Sequence, residues 1–175
     1  MRAQVIYESI FGNTAAIAEA IADGLREYAQ VEVTDVATAA ESPVPSVDLL
    51  VVGGPTHAFG LSRARTRADA AAQTEHPAAV DIGIREWLDD APPAAQATRC
   101  ATFATKAATP KWLPGSAARG AGKRLRRLGY DLAEGPADFL VDGVKGPLLP
   151  GELERARAWA QHLAHNEFDR LTRRV

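Results

Sequence analysis

The order of apolar segments along this chain predicts an α/β protein: a three-layer, doubly wound, five-stranded parallel sheet with helices on both faces. Three observations carry that expectation. Short β-branched runs alternate with longer segments of helical apolar spacing along the whole chain. One run, Leu49-Leu50-Val51-Val52, is apolar without a break, as suits a strand buried on both faces. The segments after the first, third and fourth runs are rich in glycine, proline and hydroxyl residues, which places distinctive loops at one end of the sheet.

Taken in order, Val5 to Tyr7 is the first strand, and Ile17, Ile21 and Leu25 mark the core face of the helix after it. Val31 to Val36 alternates apolar and polar residues, so it reads as a second strand with a wetter face, at a sheet edge. Ala37 to Val47 holds only a short helix, because Pro43 and Pro45 oppose a long one. Asp48 to Gly53 is the central strand and runs into the turn-rich loop Gly53–Gly60. Residues 61–80 have weak periodicity and read as a partly helical or mobile surface segment. Ile84, Trp87 and Leu88 share one face of a short helix that Pro92 and Pro93 close.

Arg99 to Thr105 is the fourth strand, and Thr105 to Gly115 the loop beyond it. The helix from about Ser116 puts Ala118, Ala121, Leu125 and Leu128 toward the core, with Arg119, Lys123, Arg126 and Arg127 outside, and Gly129 stops it. Phe139 to Val141 is the fifth strand. Leu153, Ala156, Ala160 and Leu163 form the core stripe of the last helix, and Glu152 and Glu154 suit its positive end.

Composition narrows the function classes. The 175 residues are expected to form one domain, residues 1–175, with a net charge of −2 that gives no drive toward nucleic acid. No apolar run approaches a membrane span, and the first residues lack the layout of a signal peptide. The lone Cys100 excludes an internal disulfide and a cysteine-rich metal site, and it reads as an inert buried thiol. A cytoplasmic protein without a metal is expected.

The chemistry is concentrated in the strand–loop–helix unit at the start. The first turn of a helix offers free N–H groups and a positive partial charge, so Ser9 to Thr14 is a candidate phosphate cradle. Gly12 admits close backbone approach, and Ser9 and Thr14 add hydroxyl donors. The dinucleotide fingerprint needs three glycines here, and the nucleoside-triphosphate loop needs Gly-Lys-Ser/Thr; neither is present. A phospho-receiver domain needs acidic pairs after the first strand, where Glu8 stands alone.

Val5, Ile6, Tyr7, Ser9, Gly12, Thr14, Ala18 and Ile21 together resemble the N-terminal signature of the flavodoxin family. The resemblance implies the strand order 2-1-3-4-5 and FMN as the cofactor. It implies that Ser9, Ile10, Phe11, Gly12, Asn13 and Thr14 wrap the phosphate. Pro55, Thr56, His57, Ala58, Phe59 and Gly60, in a loop similar to that of WrbA-type quinone reductases but one residue longer, border the ring. Thr105, Lys106, Ala107 and Trp112 hold its other face. The chain departs from electron-carrying flavodoxins in having Ile10 and Phe11 where hydroxyl residues are usual, and in lacking a strongly acidic surface.

Several residues carry two readings at this point. Ser9 and Thr14 either hold phosphate or cap the first helix. His57 is either a donor beside the ring or a surface histidine, and Trp112 either a stacking platform or a plug between loop and core. Phe59 either packs inside or meets the flavin. Trp87 and Trp159 read as structural, and the 119–127 basic face as solvated surface or as a dock for an acidic partner or a phosphorylated nicotinamide. No catalytic residue is named. Three functions stay open: an FMN-binding electron-transfer protein serving a redox partner protein, an NAD(P)H-dependent quinone or flavin-linked oxidoreductase using a small-molecule electron acceptor, and a cofactor-free binding module.

Overall fold

The computed structural model describes residues 1–43, 46–75, 80–95 and 98–173; Pro45 and part of the 61–80 segment lie outside them. Strands β1 (Arg2–Tyr7), β2 (Gln30–Asp35), β3 (Leu49–His57) and β5 (Arg99–Ala107) are the long members of the sheet. Short strands are β4 (Gly60–Leu61), β6 (Asp131–Leu132) and β7 (Ala137–Val141). The helices are α1 (Asn13–Leu25), α2 (Val36–Ala40), α3 (Ala64–Ala71), α4 (Ile84–Asp90), α5 (Ala117–Arg127) and α6 (Glu152–Thr172).

The order is β2-β1-β3-β5-β6, with β7 also on β5, and every pairing is parallel except that of β4 with β3. This is the flavodoxin-like order, and β2 is its edge. Successive residues of a strand face opposite layers, and the core divides accordingly. Val5, Leu49, Val51 and Phe103 pack on α1 and α6, whereas Ile6, Leu50, Val52 and Cys100 pack with α4 and α5. Trp87 is buried in the second layer, and Trp159 lies edge-on to Phe139 in the first.

Four local differences from the sequence reading have physical causes. The fifth strand arrives in two pieces: β6 pairs with Arg99 and Cys100, and β7 with Phe103 to Ala107. Gly135 and Pro136 interrupt them, and proline offers no N–H for the ladder. β3 continues past Gly53 to His57, because Gly53, Gly54 and Pro55 stay in register with β5 and Thr56 and His57 pair with β4; the absent side chain of Gly53 leaves room for the Phe103 ring. β5 likewise runs on to Ala107, so Thr105, Lys106 and Ala107 end a strand rather than begin a loop.

The last difference is in α6, where Leu153 is exposed and Glu152 and Glu167 join Ala156, Ala160 and Leu163 on the inner face. Glu152 accepts from the Leu140 N–H and pairs with Arg155; Glu167 pairs with Arg99 and Arg170. Paired and hydrogen-bonded carboxylates can occupy positions that the periodicity assigns to apolar residues. Those partners hold the Glu152 carboxyl below the usual glutamate range against the opposing effect of burial. Leu128 follows α5 as a half-buried cap, and Gly129 has the left-handed φ of 89° that ends it.

Candidate functional site

The carboxyl ends of β1, β3, β5 and β7 converge on a cavity of about 270 Å³ at the point where the strand order reverses. Its walls come from Ser9 to Phe11 with Asn13 and Thr14, from Pro55 to Phe59, from Thr105 to Ala107, and from Leu113. Gly12, Gly60 and Trp112 do not line it. Trp112 is 78% exposed, so it neither plugs the loop onto the core nor stands on the cavity wall; its neighbour Leu113 does the latter.

One wall was not legible in the sequence. Val141, Gly143 and Val144, just past β7, close the cavity on its remaining side. The Asn13 side chain draws them in, donating to the Lys145 carbonyl at 2.8 Å. A signal existed, since every strand of a parallel sheet delivers its next loop to the same end, and this loop also carries Gly143 and Gly146.

The first loop leaves the opening turn of α1 uncapped. Gly12 is the residue before α1, with a left-handed φ of 90° and no side-chain cap, and Ser9 Oγ accepts its N–H at 3.2 Å. The N–H groups of Asn13, Thr14 and Ala15 have no acceptor among the described residues. Thr14 does not cap the helix; it is buried, with its hydroxyl 2.7 Å from that of Thr105 on β5. Such a pair shares one hydrogen and leaves the second free to donate elsewhere.

The second loop is a tight hairpin. His57 pairs with Gly60, and Ala58 and Phe59 between them have φ of 44° and 74°. Both angles are positive, as the common two-residue hairpin turn requires, though the turn usually employs glycine or asparagine there. The hairpin is held from outside. Ala117 donates its N–H to Thr56 Oγ1 at 3.1 Å, and Gly115 packs so closely on Phe59 that a Cβ there would lie 1.9 Å from the Phe59 carbonyl oxygen. Phe59, 56% exposed, thus stands at the cavity mouth rather than inside the core.

Among the described residues no carboxylate lines the cavity, and Lys106 is the one lysine or arginine that does. His57 contributes a neutral ring: burial first, and then the Arg67 guanidinium, push its pKa below the ordinary histidine value. Its Nδ1 lies 3.1 Å from Thr66 Oγ1. A base that binds its proton less tightly when folded costs stability as pH falls through 6.5 toward the folded value. His57→Gln is therefore expected to resist mild acid better than the parent, and NMR titration of the parent should place the His57 midpoint below 6.5. A midpoint at or above that value would contradict the buried, Arg67-facing position.

Elsewhere, Cys100 is fully buried and its thiol is pushed up to about 12 by burial, so it is inert. Arg119, Lys123, Arg126 and Arg127 are exposed along α5, while Arg124 pairs with Asp89 at 3.2 Å. Among the described residues no group of His, Cys, Asp and Glu is placed to hold a metal, and no helix is long and apolar enough to cross a membrane.

Solved structures with this architecture include oxidised Flavodoxin 2 from Bacillus cereus, with a TM-score of 0.68 and 19% identity over 94% of this chain and 99% of that one. A flavodoxin from the domain Archaea gives 0.60 and 17%, covering 95% of this chain and 99% of its own. A flavodoxin, WrbA-like protein from Agrobacterium tumefaciens gives 0.55 and 19%, with coverage of 95% and 96%. At such identities the likeness is one of fold. None of the curated protein sequences compared with the chain matches it. The family model for flavodoxin matches residues 5–124, which takes in the Ser9–Thr14 loop, the hairpin and the end of β5. With that match across the residues that build the site, the chain belongs to the flavodoxin family.

Proposed function

We propose that this protein holds one FMN in the cavity above β1, β3 and β5 and serves as a cytoplasmic electron-transfer flavoprotein. The observation that carries the reading is the set of unpaired N–H groups in the first turn of α1, two of them on the cavity-lining residues Asn13 and Thr14. The cavity-lining part of this loop fits a terminal phosphate: the backbone donors of Asn13 and Thr14 and the Thr14–Thr105 hydroxyl pair. The remaining walls, Ile10, Phe11, Pro55, Ala58, Phe59, Leu113, Val141 and Val144, are apolar and fit a flat ring system. FMN, when bound, supplies the redox chemistry.

The chain's own residues bind and orient. α1 and Thr14 take the phosphate, the hairpin and the wall of Val141, Gly143 and Val144 flank the ring and exclude water, and Lys106 sets the local charge. Membership of the flavodoxin family supports an electron-transfer role with a redox partner. A second reading, a two-electron reductase acting on a small acceptor, is favoured by the positive charge of Lys106 on a wall that carries no carboxylate among the described residues.

The test is ligand selectivity. Calorimetry is expected to show FMN binding more tightly than riboflavin, which lacks the phosphate, and than FAD, whose adenylate crowds the cradle. Thr14→Ala removes a hydroxyl contact to a charged group, worth about 1.5–3 kcal/mol, so FMN affinity should fall about ten- to a hundredfold. Riboflavin affinity should hardly change. No FMN binding at all in the parent would end this reading in favour of a cofactor-free module, and equal losses for both ligands would make Thr14 a support for β5 instead.

A further inference from the structure

We propose that Lys106 is the residue that stabilises negative charge on the reduced ring, biasing the site toward a fully reduced ligand. This rests on the FMN reading above. Lys106 is the penultimate residue of β5 and is paired in register with Leu140, which fixes its backbone beside the cavity floor. Its ammonium is half-buried and donates to the carbonyl oxygens of Leu113 at 3.2 Å and Gly115 at 3.0 Å. An ammonium has three donors, so one remains.

Arg67, Arg99 and Arg170, also withdrawn from water, each pair with a glutamate. Arg85 resembles Lys106 in donating to two backbone carbonyls, those of Ser62 and Leu61, but it lies away from the cavity. Lys106 has no carboxylate within ion-pair distance among the described residues, and none lines the cavity that it borders. Carbonyl dipoles solvate it without cancelling its charge. A cation drawn from water and left without a counter-ion is costly, and that cost is recovered when a negative ligand group arrives.

The ring provides such a group only on reduction. Two electrons from an external reductant and one proton from solvent convert the neutral isoalloxazine to a species of charge −1, and no bond to the protein forms. The Lys106 charge opposes none of the oxidised ligand's binding and attracts the reduced ligand, so it favours the reduced form selectively.

The experiment compares the parent protein, Lys106→Gln and Lys106→Arg, measuring affinity for oxidised and dithionite-reduced FMN and for riboflavin in both states. Glutamine keeps a donor for the two carbonyls and loses the charge; arginine keeps the charge. Lys106→Gln is expected to bind oxidised FMN about as the parent does and reduced FMN about tenfold more weakly. A tenfold change is a two-electron midpoint potential lower by 29.6 mV. Lys106→Arg should stay near the parent value, and riboflavin should show the same shift, because the ring and not the phosphate is sensed.

Equal weakening of both redox states in Lys106→Gln would make Lys106 a stitch for the 113–115 loop and overturn the proposal. So would a loss confined to FMN with riboflavin unaffected, which assigns the charge to the phosphate. An unchanged potential overturns it while leaving FMN binding intact. Failure of the parent to bind oxidised FMN removes both this proposal and the function beneath it.

Discussion

Gly115→Ala is expected to lower FMN affinity at least about a hundredfold, or about 2.7 kcal/mol, while leaving the sheet and its helices folded. The added Cβ would lie 1.9 Å from the Phe59 carbonyl oxygen and 2.6 Å from its carbonyl carbon, and both are backbone atoms that no rotamer change can move. Gly115 also has φ of 87°, so alanine there is strained whatever the space. The hairpin tip must therefore retreat, although Ala58 and Phe59 already hold left-handed angles that cost non-glycine residues about 1–2 kcal/mol apiece. The Gly115 carbonyl is one of the two that grip Lys106, so the damage reaches a second wall. Gly60→Ala is the matched control, since a Cβ there meets nothing within 4 Å and its φ is ordinary. It should bind FMN as the parent does. Calorimetry and far-UV circular dichroism on both variants check this, and parent-like affinity in Gly115→Ala would mean that the hairpin is not a wall of the site.

Arg67→Met is expected to cost about 3–5 kcal/mol of folding stability, the usual consequence of removing one partner from a buried ionic cluster. Arg67 is 1% exposed; it donates to the Val80 carbonyl at 2.9 Å and to Ser62 Oγ at 3.0 Å, and it meets Glu86 Oε2 at 3.0 Å. Ser62 passes the connection to Glu8, whose other oxygen accepts the Ile84 N–H at 2.9 Å. Glu86 can be rehydrated, with 37% of its side chain exposed, but Glu8 is buried and cannot.

That asymmetry gives the loss a pH signature. Burial raises the Glu8 pKa above the ordinary glutamate value of 4.5, and Arg67 is among the groups that oppose the rise. Without Arg67 it climbs further. A carboxyl that holds its proton more tightly when folded stabilises below the unfolded value, and that stability is lost as pH rises through the folded value. The deficit of Arg67→Met against the parent should therefore be smaller near pH 4.5 than at neutral pH, and Glu8→Gln added to it should recover part of the loss at neutral pH. Urea unfolding at both pH values measures it. A deficit that does not grow with pH, or one below about 1 kcal/mol, would show that Glu8 and Arg67 are not coupled.

The amino-acid sequence by itself determined the layered α/β fold, the edge position of β2, and the loop that opens α1. These follow from short-range rules. Periodicity separates strand from helix, an unbroken apolar run marks a strand buried on both faces, and a strand–glycine–helix junction exposes unpaired N–H groups wherever it occurs. The place of the Ser9–Thr14 loop between β1 and α1 was legible because its strand–glycine–helix signal lies in a few consecutive residues.

Tertiary structure decided what depends on distant residues meeting. Pairing with β5 and β4 turned an expected loop into strand, and on α6 glutamates with arginine partners are buried while Leu153 is exposed. Trp112 and Leu113 are neighbours in sequence, yet one stands in solvent and the other on the cavity wall, because loop direction and not composition orients them. Val141 to Val144 became a wall through Asn13, and His57 lost its proton affinity to burial and to Arg67. The charge on Lys106 was visible from the start. That it has no counter-ion among the described residues is a statement about the carboxylates in its neighbourhood, and only packed coordinates bring that neighbourhood together.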